Sequence, residues 1–211
     1  MRGIFITVEG GDGAGKSTQL ANIKQYMEDR SISAIFTREP GGTEIAEKIR
    51  EIILDPENEG MEPLTEALLY AASRAEHVRK VIAPALEDGL AVVCDRFLDS
   101  SIAYQGYGRG LGKVVEMINE PAVAGYIPDL TILLDLEPEV AMARISNRGH
   151  DRLETESQDF HERVHQGYLD MIAKDEESGI SRIARIPADR LASDIKSDIY
   201  AALNQIFGEA E

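Results

Sequence analysis

Gly10-Gly11-Asp12-Gly13-Ala14-Gly15-Lys16-Ser17 is the stretch that decides the fold of this chain. Its spacing, G-x-x-x-x-G-K-S, is that of the phosphate-binding loop (P-loop) of nucleoside-triphosphate enzymes. The apolar, β-branched run 4–8 precedes the loop and predicts a buried strand. Apolar residues at helical spacing follow it over 17–29 and predict a helix. A P-loop requires this order of strand, glycine loop and helix, so the context matches the motif.

The residue types in the loop suit phosphate binding. Glycines allow the backbone to curl until its N–H groups face an anion, and the helix that follows adds its positive end. Lys16 can reach the β- and γ-phosphates, and the hydroxyl of Ser17 can ligate Mg²⁺. A glycine-rich turn that binds nothing is the alternative interpretation. We expect a bound nucleoside triphosphate to contact Gly10, Gly11, Asp12, Gly13, Ala14, Gly15, Lys16, Ser17 and Thr18.

Composition excludes several classes of protein. The net charge of −16 argues against a general nucleic-acid binder, since phosphate backbones are held by basic surfaces. An anionic substrate must therefore be met by local arginines. The single cysteine, Cys94, permits no intrachain disulfide and favours a reducing compartment. No apolar run is long enough for a signal peptide or a membrane span, so we expect a cytoplasmic protein without membrane partners.

The rest of the chain alternates predicted strands with predicted helices. Further strands are expected over 34–37, 90–94, 130–135 and 180–186. Continuous apolar strands separated by helices predict an α/β fold in which helices cover both faces of a parallel sheet. Ligands of such sheets bind at the carboxyl ends of the strands, where Glu9, Arg38 and Asp95 fall.

Two segments stand apart from this pattern. Residues 98–112 are polar, aromatic and glycine-rich, and 148–158 carry many charges and little apolar content. The second segment reads as an exposed, mobile element. We expect one domain over 1–211, with a mobile lid over about 144–158.

The P-loop alone does not identify the reaction. The guanine motif N-K-x-D and the L-S-G-G-Q segment of transport ATPases are absent from the sequence, which leaves a small kinase. Tyr70 and Arg74 are four residues apart on a predicted helix and so share one face. A ring and a guanidinium on one face suit a base-binding pocket. The alternative is that Tyr70 belongs to the core and Arg74 to the solvated surface.

Several motifs, in order along the chain, resemble those of the thymidylate kinase family: 8–18, 37–43, 95–106, 128–131 and 151–154. The resemblance implies transfer of the γ-phosphoryl group of ATP to dTMP, giving dTDP and ADP within dTTP biosynthesis, with Mg²⁺ as cofactor. It also implies the P-loop nucleoside monophosphate kinase fold, a five-stranded parallel sheet with a lid. A homodimer is the usual form of the family.

Roles follow from this resemblance residue by residue. Asp95 and Arg96 match a pair beside the acceptor phosphate, and Glu9, Asp95 and Ser17 are the candidate Mg²⁺ ligands. Other matches place substrate contacts at Glu9, Arg38, Glu39, Arg50, Tyr70, Arg74, Arg96, Ser101, Tyr104 and Gln105. The ring of Tyr70 is expected to stack on thymine and the guanidinium of Arg74 to donate to its O4.

The two branches of this family differ in the position of the arginine that stabilises the transition state. One branch of the family carries this arginine in the P-loop, where this chain has Gly13, and the other supplies it from the lid. Arg148 and Arg152 are therefore the candidates for this arginine. The other catalytic candidates are Lys16, Asp95 and Arg96. Arg144 is the candidate for a stacking contact with adenine.

Two alternatives stay open at this point. The chain could be a P-loop kinase acting on another nucleotide or on a deoxynucleoside. It could also be a nucleotide-binding regulatory protein without catalysis. The intact set of acceptor-site residues argues against both.

Overall fold

The computed structural model describes residues 2–145 and 152–208. Its centre is a sheet of five parallel strands in the order β2-β3-β1-β4-β5. The strands are β1 (Phe5–Glu9), β2 (Ala34–Arg38), β3 (Ala91–Asp95), β4 (Leu130–Asp135) and β5 (Ile183–Pro187). The predicted five-stranded parallel sheet is confirmed, with strand boundaries that differ from the predicted ones by a few residues.

The strand β1 lies in the middle of the sheet and is buried along its whole length. Val8 pairs with Asp95 of β3 on one side and with Ile132 of β4 on the other. Because all three strands run in parallel, their carboxyl ends meet at one edge of the sheet. The P-loop leaves β1 at this edge, which places it beside the residues that follow β3 and β4.

Helices cover both faces of this sheet. They are α1 (Lys16–Asp29), α2 (Glu44–Leu54), α3 (Pro63–His77), α4 (Ala83–Glu87), α5 (Leu98–Ser101), α6 (Val114–Val123), α7 (Pro138–Ile145), α8 (Gln158–Ser178) and α9 (Ala192–Phe207). Ile6 and Val8 point toward α1 and α9, whereas Phe5 packs against α4 and against Phe97 on the opposite face. Alternate residues of a strand face opposite sides, so one apolar run supplies both cores. No helix within the described residues is both long and apolar enough to cross a membrane.

The glycine-rich segment 98–112 is more regular than its composition suggests. It forms α5 and continues as a wide π-helical stretch over Ile102–Gly108. This stretch packs against α8, where Gly108 lies so close to Phe160 that an added Cβ would come within 2.6 Å of the ring. Glycine here permits close packing of two helices, which explains a composition that otherwise favours a loop.

The described part of the charged segment before α8 is less exposed than predicted. Residues 146–151 lie outside the described residues. The lid over 144–158 and the single domain over 1–211 therefore stay predictions. The expected exposure is wrong for Arg152, Leu153 and Glu154, which are all buried. Leu153 joins an apolar cluster with Tyr104 and Phe160, and Arg152 pairs with a buried carboxylate.

A side-chain cap at the start of α2 gives a test of the fold. The hydroxyl of Thr43 accepts a hydrogen bond of 3.1 Å from the backbone N–H of Ala46. We expect Thr43→Ala to lower the free energy of unfolding by about 1 kcal/mol, because it leaves a helix N–H without a partner. Denaturant unfolding measures the change, and Thr43→Ser, which keeps the hydroxyl, is the control. Equal losses in the two variants would contradict the capping role.

Candidate active site

The P-loop connects β1 to α1 and is shaped for an anion. Gly10, Gly13 and Gly15 have φ values of 135°, 83° and 97°, a region that favours glycine. A Cβ added at Gly10 would lie 2.5 Å from the carbonyl oxygen of Leu134, so the loop also needs glycine there for space. The backbone therefore curls tightly between the sheet and the first turn of α1.

The ammonium group of Lys16 lies against this loop. Its Nζ donates to the carbonyl oxygens of Gly10 and Gly11 at 3.0 and 2.9 Å. Burial, with the positive charge of Arg96 second, lowers the pKa of Lys16 to about 8. Negative charge from a phosphate at this position would favour the protonated form, so the site is electrostatically suited to a polyphosphate.

A cluster of three side chains joins the P-loop to the end of β3. Arg96 donates to Oδ1 of Asp12 at 2.6 Å, and the hydroxyl of Tyr104 donates to Oδ2 of Asp12 at 2.9 Å. The guanidinium carbon of Arg96 also lies 5.0 Å from the centre of the Tyr104 ring. Burial alone would raise the pKa of Asp12, but the charges of Arg96 and Lys16 hold it well below its usual range. Arg96 itself has a φ of 66°, a strained backbone for a residue with a side chain.

Glu9, at the end of β1, is buried and bonds to protein groups at this edge of the sheet. One carboxylate oxygen accepts the backbone N–H of Phe97 at 2.7 Å, and the other accepts the hydroxyls of Ser100 and Tyr168. Burial, reinforced by the charge of Asp99, raises the pKa of Glu9 to about 6. Protein donors occupy the carboxylate in this structure, and its role as a substrate or metal contact stays a prediction.

Asp95 differs from Glu9 in its surroundings. Its Oδ1 is buried and has no hydrogen-bond partner among the described residues, and the side chain lines the cavity. Ser17 lines the same cavity. A carboxylate oxygen without a described partner and a hydroxyl on the same cavity fit Mg²⁺, which keeps several waters and takes only one or two protein ligands beside substrate phosphates. Within residues 2–145 and 152–208, no three His, Cys, Asp or Glu residues are grouped to hold a metal by themselves.

Arg74 on α3 is a buried cation with several hydrogen-bond partners. Its side chain is only 1% exposed. The guanidinium donates to Oε2 of Glu39 at 2.8 Å and to the carbonyl oxygen of Phe97 at 2.9 Å. It also donates to Oγ of Ser101 at 3.1 Å and to Oδ1 of Asn119. Arg74 is therefore neither solvated nor isolated, and the surface interpretation of this residue is wrong.

Two further arginines face the same space from β2 and α2. Arg38 pairs with Glu47 at 2.7 Å and is half-exposed, and Arg50 donates to the carbonyl oxygen of Pro40 at 2.8 Å. Glu39 lies between Arg74 and His77, whose Nδ1 is 2.9 Å from Oε1 of Glu39. These contacts fix the loop after β2 against α3.

A cavity of about 540 Å³ joins these elements into one site. The residues expected from the sequence that line it are Asp12, Gly13, Gly15, Lys16, Ser17, Thr18, Arg38, Glu39, Arg50, Tyr70, Arg74, Asp95, Arg96, Ser101, Tyr104, Gln105 and Arg144. Those within the described residues that do not line it are Glu9, Gly10, Gly11, Ala14 and Arg152. The P-loop and the base-binding candidates therefore open onto one continuous space.

The two ends of the lid region differ in where they lie. Arg144 donates to the carbonyl oxygens of Gly13 and Ala188 at 3.4 and 3.1 Å, between the P-loop and the segment after β5. Arg152 instead donates to Glu66 at 2.6 Å and to the carbonyl oxygen of Ile53 at 2.9 Å. The structure thus does not bring Arg152 to the P-loop, because a buried carboxylate holds its guanidinium. Arg148, the other catalytic candidate, lies outside the described residues.

Some lining residues were missed by the sequence analysis: Pro40, Leu54, Phe97, Ser100, Leu153 and Glu154. Most of them lie inside the quoted motifs, between residues whose roles were assigned. The sequence could have identified Ser100 as a lining residue, since it is adjacent to Ser101 in a pair of hydroxyl residues after β3. Nothing in the sequence identified Leu54 as a lining residue, because it ends a helix whose apolar residues suggested only packing.

Comparison with known proteins identifies relatives of this chain. The family model described as thymidylate kinase matches residues 8–199. A thymidylate kinase from Symbiobacterium thermophilum is 47% identical over 96% of this chain and 94% of its own length. One from Clostridium novyi is 46% identical over 92% of this chain and 97% of its own length.

A solved structure agrees with these relatives. The crystal structure of thymidylate kinase from Ehrlichia chaffeensis superposes with a TM-score of 0.76 at 31% identity, over 97% of this chain and 99% of that one. The fold, the P-loop site and the sequence relatives all point the same way, and this chain belongs to the thymidylate kinase family.

Proposed function

We propose that this chain transfers the γ-phosphoryl group of ATP to dTMP, giving dTDP and ADP, with Mg²⁺ as cofactor. The observation that carries the proposal is one cavity that is lined both by the P-loop and by Tyr70, Arg74 and Gln105. Two nucleotides placed there would bring their phosphates together near Lys16 and Arg96. The names of the relatives support the choice of thymidine monophosphate as the acceptor.

The residues have distinct tasks in this reaction. Phosphoryl transfer depends on positioning and on stabilisation of charge rather than on covalent steps with the protein. Lys16 and the N–H groups of the P-loop hold the donor phosphates, and Arg96 and Arg38 hold the acceptor phosphate. Ser17 and Asp95 would hold Mg²⁺, which neutralises charge on the phosphates when bound.

Base recognition is assigned to the other part of the cavity. Tyr70 stacks on the thymine ring, and Arg74 has one N–H remaining after its four contacts with groups of the described residues. That N–H donates to O4 of the base. Tyr104 lies against the sugar, where a ribose hydroxyl would clash, and Arg144 stacks on the adenine of ATP.

The acceptor preference tests this function. We measure ADP release with ATP and Mg²⁺, using dTMP, dUMP, dCMP, AMP and thymidine as acceptors. We expect dTMP to give the highest kcat/KM, because a pocket built on hydrogen bonds rejects bases that leave its groups unpaired. Preference for another acceptor would favour a P-loop kinase of different specificity. Binding of ATP without transfer to any acceptor would favour a regulatory nucleotide-binding protein.

The two lid arginines are separable by experiment. We expect Arg148→Ala to lower kcat by about 10³-fold with little change in stability, as for other arginines that stabilise transferring phosphate. Arg152→Ala should lower the free energy of unfolding by about 3 kcal/mol, because it leaves Glu66 with one partner fewer in a buried ion network.

Steady-state kinetics and denaturant unfolding measure both variants. Arg190→Ala, at an exposed ion pair with Asp198, is the control. A loss of kcat in Arg152→Ala at unchanged stability would assign the transition-state role to Arg152 instead.

We also propose that two copies of the chain form a homodimer in the cytoplasm. The helix α3 packs against α2 and α6, and these three helices expose apolar side chains: Ile45 and Ile52 on α2, Leu64 and Leu68 on α3, and Met117 on α6, each about half or more exposed. Exposed apolar side chains grouped in this way are typical of protein interfaces.

Oligomeric state tests this surface. We expect sedimentation to give twice the chain mass of 23.2 kDa for the unmodified protein. Leu68→Glu should shift the mass to that of one chain, because it places a charge in the apolar patch. Ile180→Glu, which changes an exposed apolar residue between α8 and β5 and not on α2, α3 or α6, should leave the dimer intact. A monomeric unmodified protein would contradict the proposal.

A further inference from the structure

Glu66 on α3 is a buried carboxylate that the proposed reaction does not use. It is completely buried and accepts hydrogen bonds from three side chains. Nε2 of Gln105 lies 2.9 Å from Oε1 of Glu66, and NH2 of Arg152 lies 2.6 Å from Oε2. Arg109 reaches both carboxylate oxygens, at 3.2 and 3.0 Å. The carboxylate therefore joins the base pocket to the segment that follows the lid.

The charge of Glu66 determines how the amide of Gln105 is oriented. Burial would raise the pKa of Glu66, but hydrogen bonds from Arg109 and Gln105 lower it, which favours the ionised form. An ionised carboxylate can only accept hydrogen bonds, so it selects the NH₂ end of the neighbouring amide. Oε1 of Gln105 then has to point away from Glu66.

The structure shows no hydrogen-bond partner for that oxygen among the residues it describes. Oε1 of Gln105 is buried and makes no hydrogen bond with any described residue, although Gln105 lines the cavity. A buried polar atom without a partner costs free energy unless a ligand supplies one. The oxygen is thus an unsatisfied acceptor on a residue that lines the cavity.

We propose that Glu66 is a positioning residue that sets base specificity, because it holds the amide of Gln105 with its oxygen toward the acceptor base. The inference rests on the proposed function. Thymine and uracil carry an N–H at position 3, which can donate to Oε1. Cytosine carries a lone pair at the same position, which would face the lone pairs of Oε1 and leave both groups unsatisfied. A reversed amide would favour cytosine instead, and the charge of Glu66 prevents that reversal.

The variant Glu66→Gln tests this role at nearly constant size. A glutamine at position 66 can donate or accept, so it no longer selects one orientation of Gln105. We define selectivity as the Kd of dCMP divided by the Kd of dTMP, both measured by titration calorimetry. We expect Glu66→Gln to lower the selectivity about tenfold and to raise the KM for dTMP more than it lowers kcat. Arg74 still discriminates at position 4 of the base, so some selectivity persists.

A second variant makes the test specific to the amide. Gln105→Ala should also lower the selectivity, and adding Glu66→Gln to it should cause no further change, since the oriented group is gone. Asp99→Asn is the matched control. Asp99 is buried to a similar degree and pairs with Arg182 at 2.8 Å, so its loss should destabilise the protein without changing the selectivity.

The outcomes separate this inference from the proposed function. A protein that does not phosphorylate dTMP contradicts the function before any variant is compared. A dTMP kinase in which Glu66→Gln weakens both nucleotides equally contradicts only the role of Glu66. If Glu66→Gln fails to fold, Glu66→Asp replaces it, because the shorter carboxylate draws back from the amide of Gln105 and should also lower the selectivity. An unchanged selectivity in Glu66→Asp or in Gln105→Ala overturns the inference.

Discussion

The buried guanidinium of Arg74 is the group on which the acceptor side of this structure depends. A charge removed from water is tolerated only when protein groups pair with it and satisfy its hydrogen bonds. Arg74 meets this condition through groups from four different segments: Glu39 after β2, the carbonyl of Phe97 after β3, Ser101 on α5, and Asn119 on α6. The same contacts that neutralise the charge therefore hold these segments at fixed positions around the base pocket.

Local pairing of charges also explains how an acidic protein can hold anionic ligands. The chain has 38 acidic and 22 basic residues, yet the cavity collects several arginines and a lysine. Their carboxylate partners lie close by, as Asp12 does for Arg96 and Glu47 for Arg38. These cations are positioned before a ligand arrives, so a phosphate group meets an ordered set of donors and shares or replaces the carboxylates.

Much of the fold and part of the site followed from the sequence. The glycines of the P-loop, the apolar strands and the four-residue spacing of Tyr70 and Arg74 are local patterns, and each predicted its structure correctly. The burial of Arg152 was missed, because a run of charges predicts a solvated surface. Its partner Glu66 is 86 residues away in the sequence, and no local pattern reveals such a pair. Helical structure over Ile102–Gly108 was missed for a similar reason, since packing against α8 outweighs the weak helix propensity of glycine. The roles assigned to individual site residues stay predictions.

A crystal structure with dTMP and a non-hydrolysable ATP analogue tests the central claim most directly, namely that one cavity holds both nucleotides with their phosphates facing each other. The account predicts the triphosphate on the P-loop beside Lys16, and the thymine ring on Tyr70 with its N3 within hydrogen-bond distance of Oε1 of Gln105. The acceptor phosphate should contact Arg96. A thymine ring bound outside this cavity, or a triphosphate bound away from the P-loop, would contradict the account.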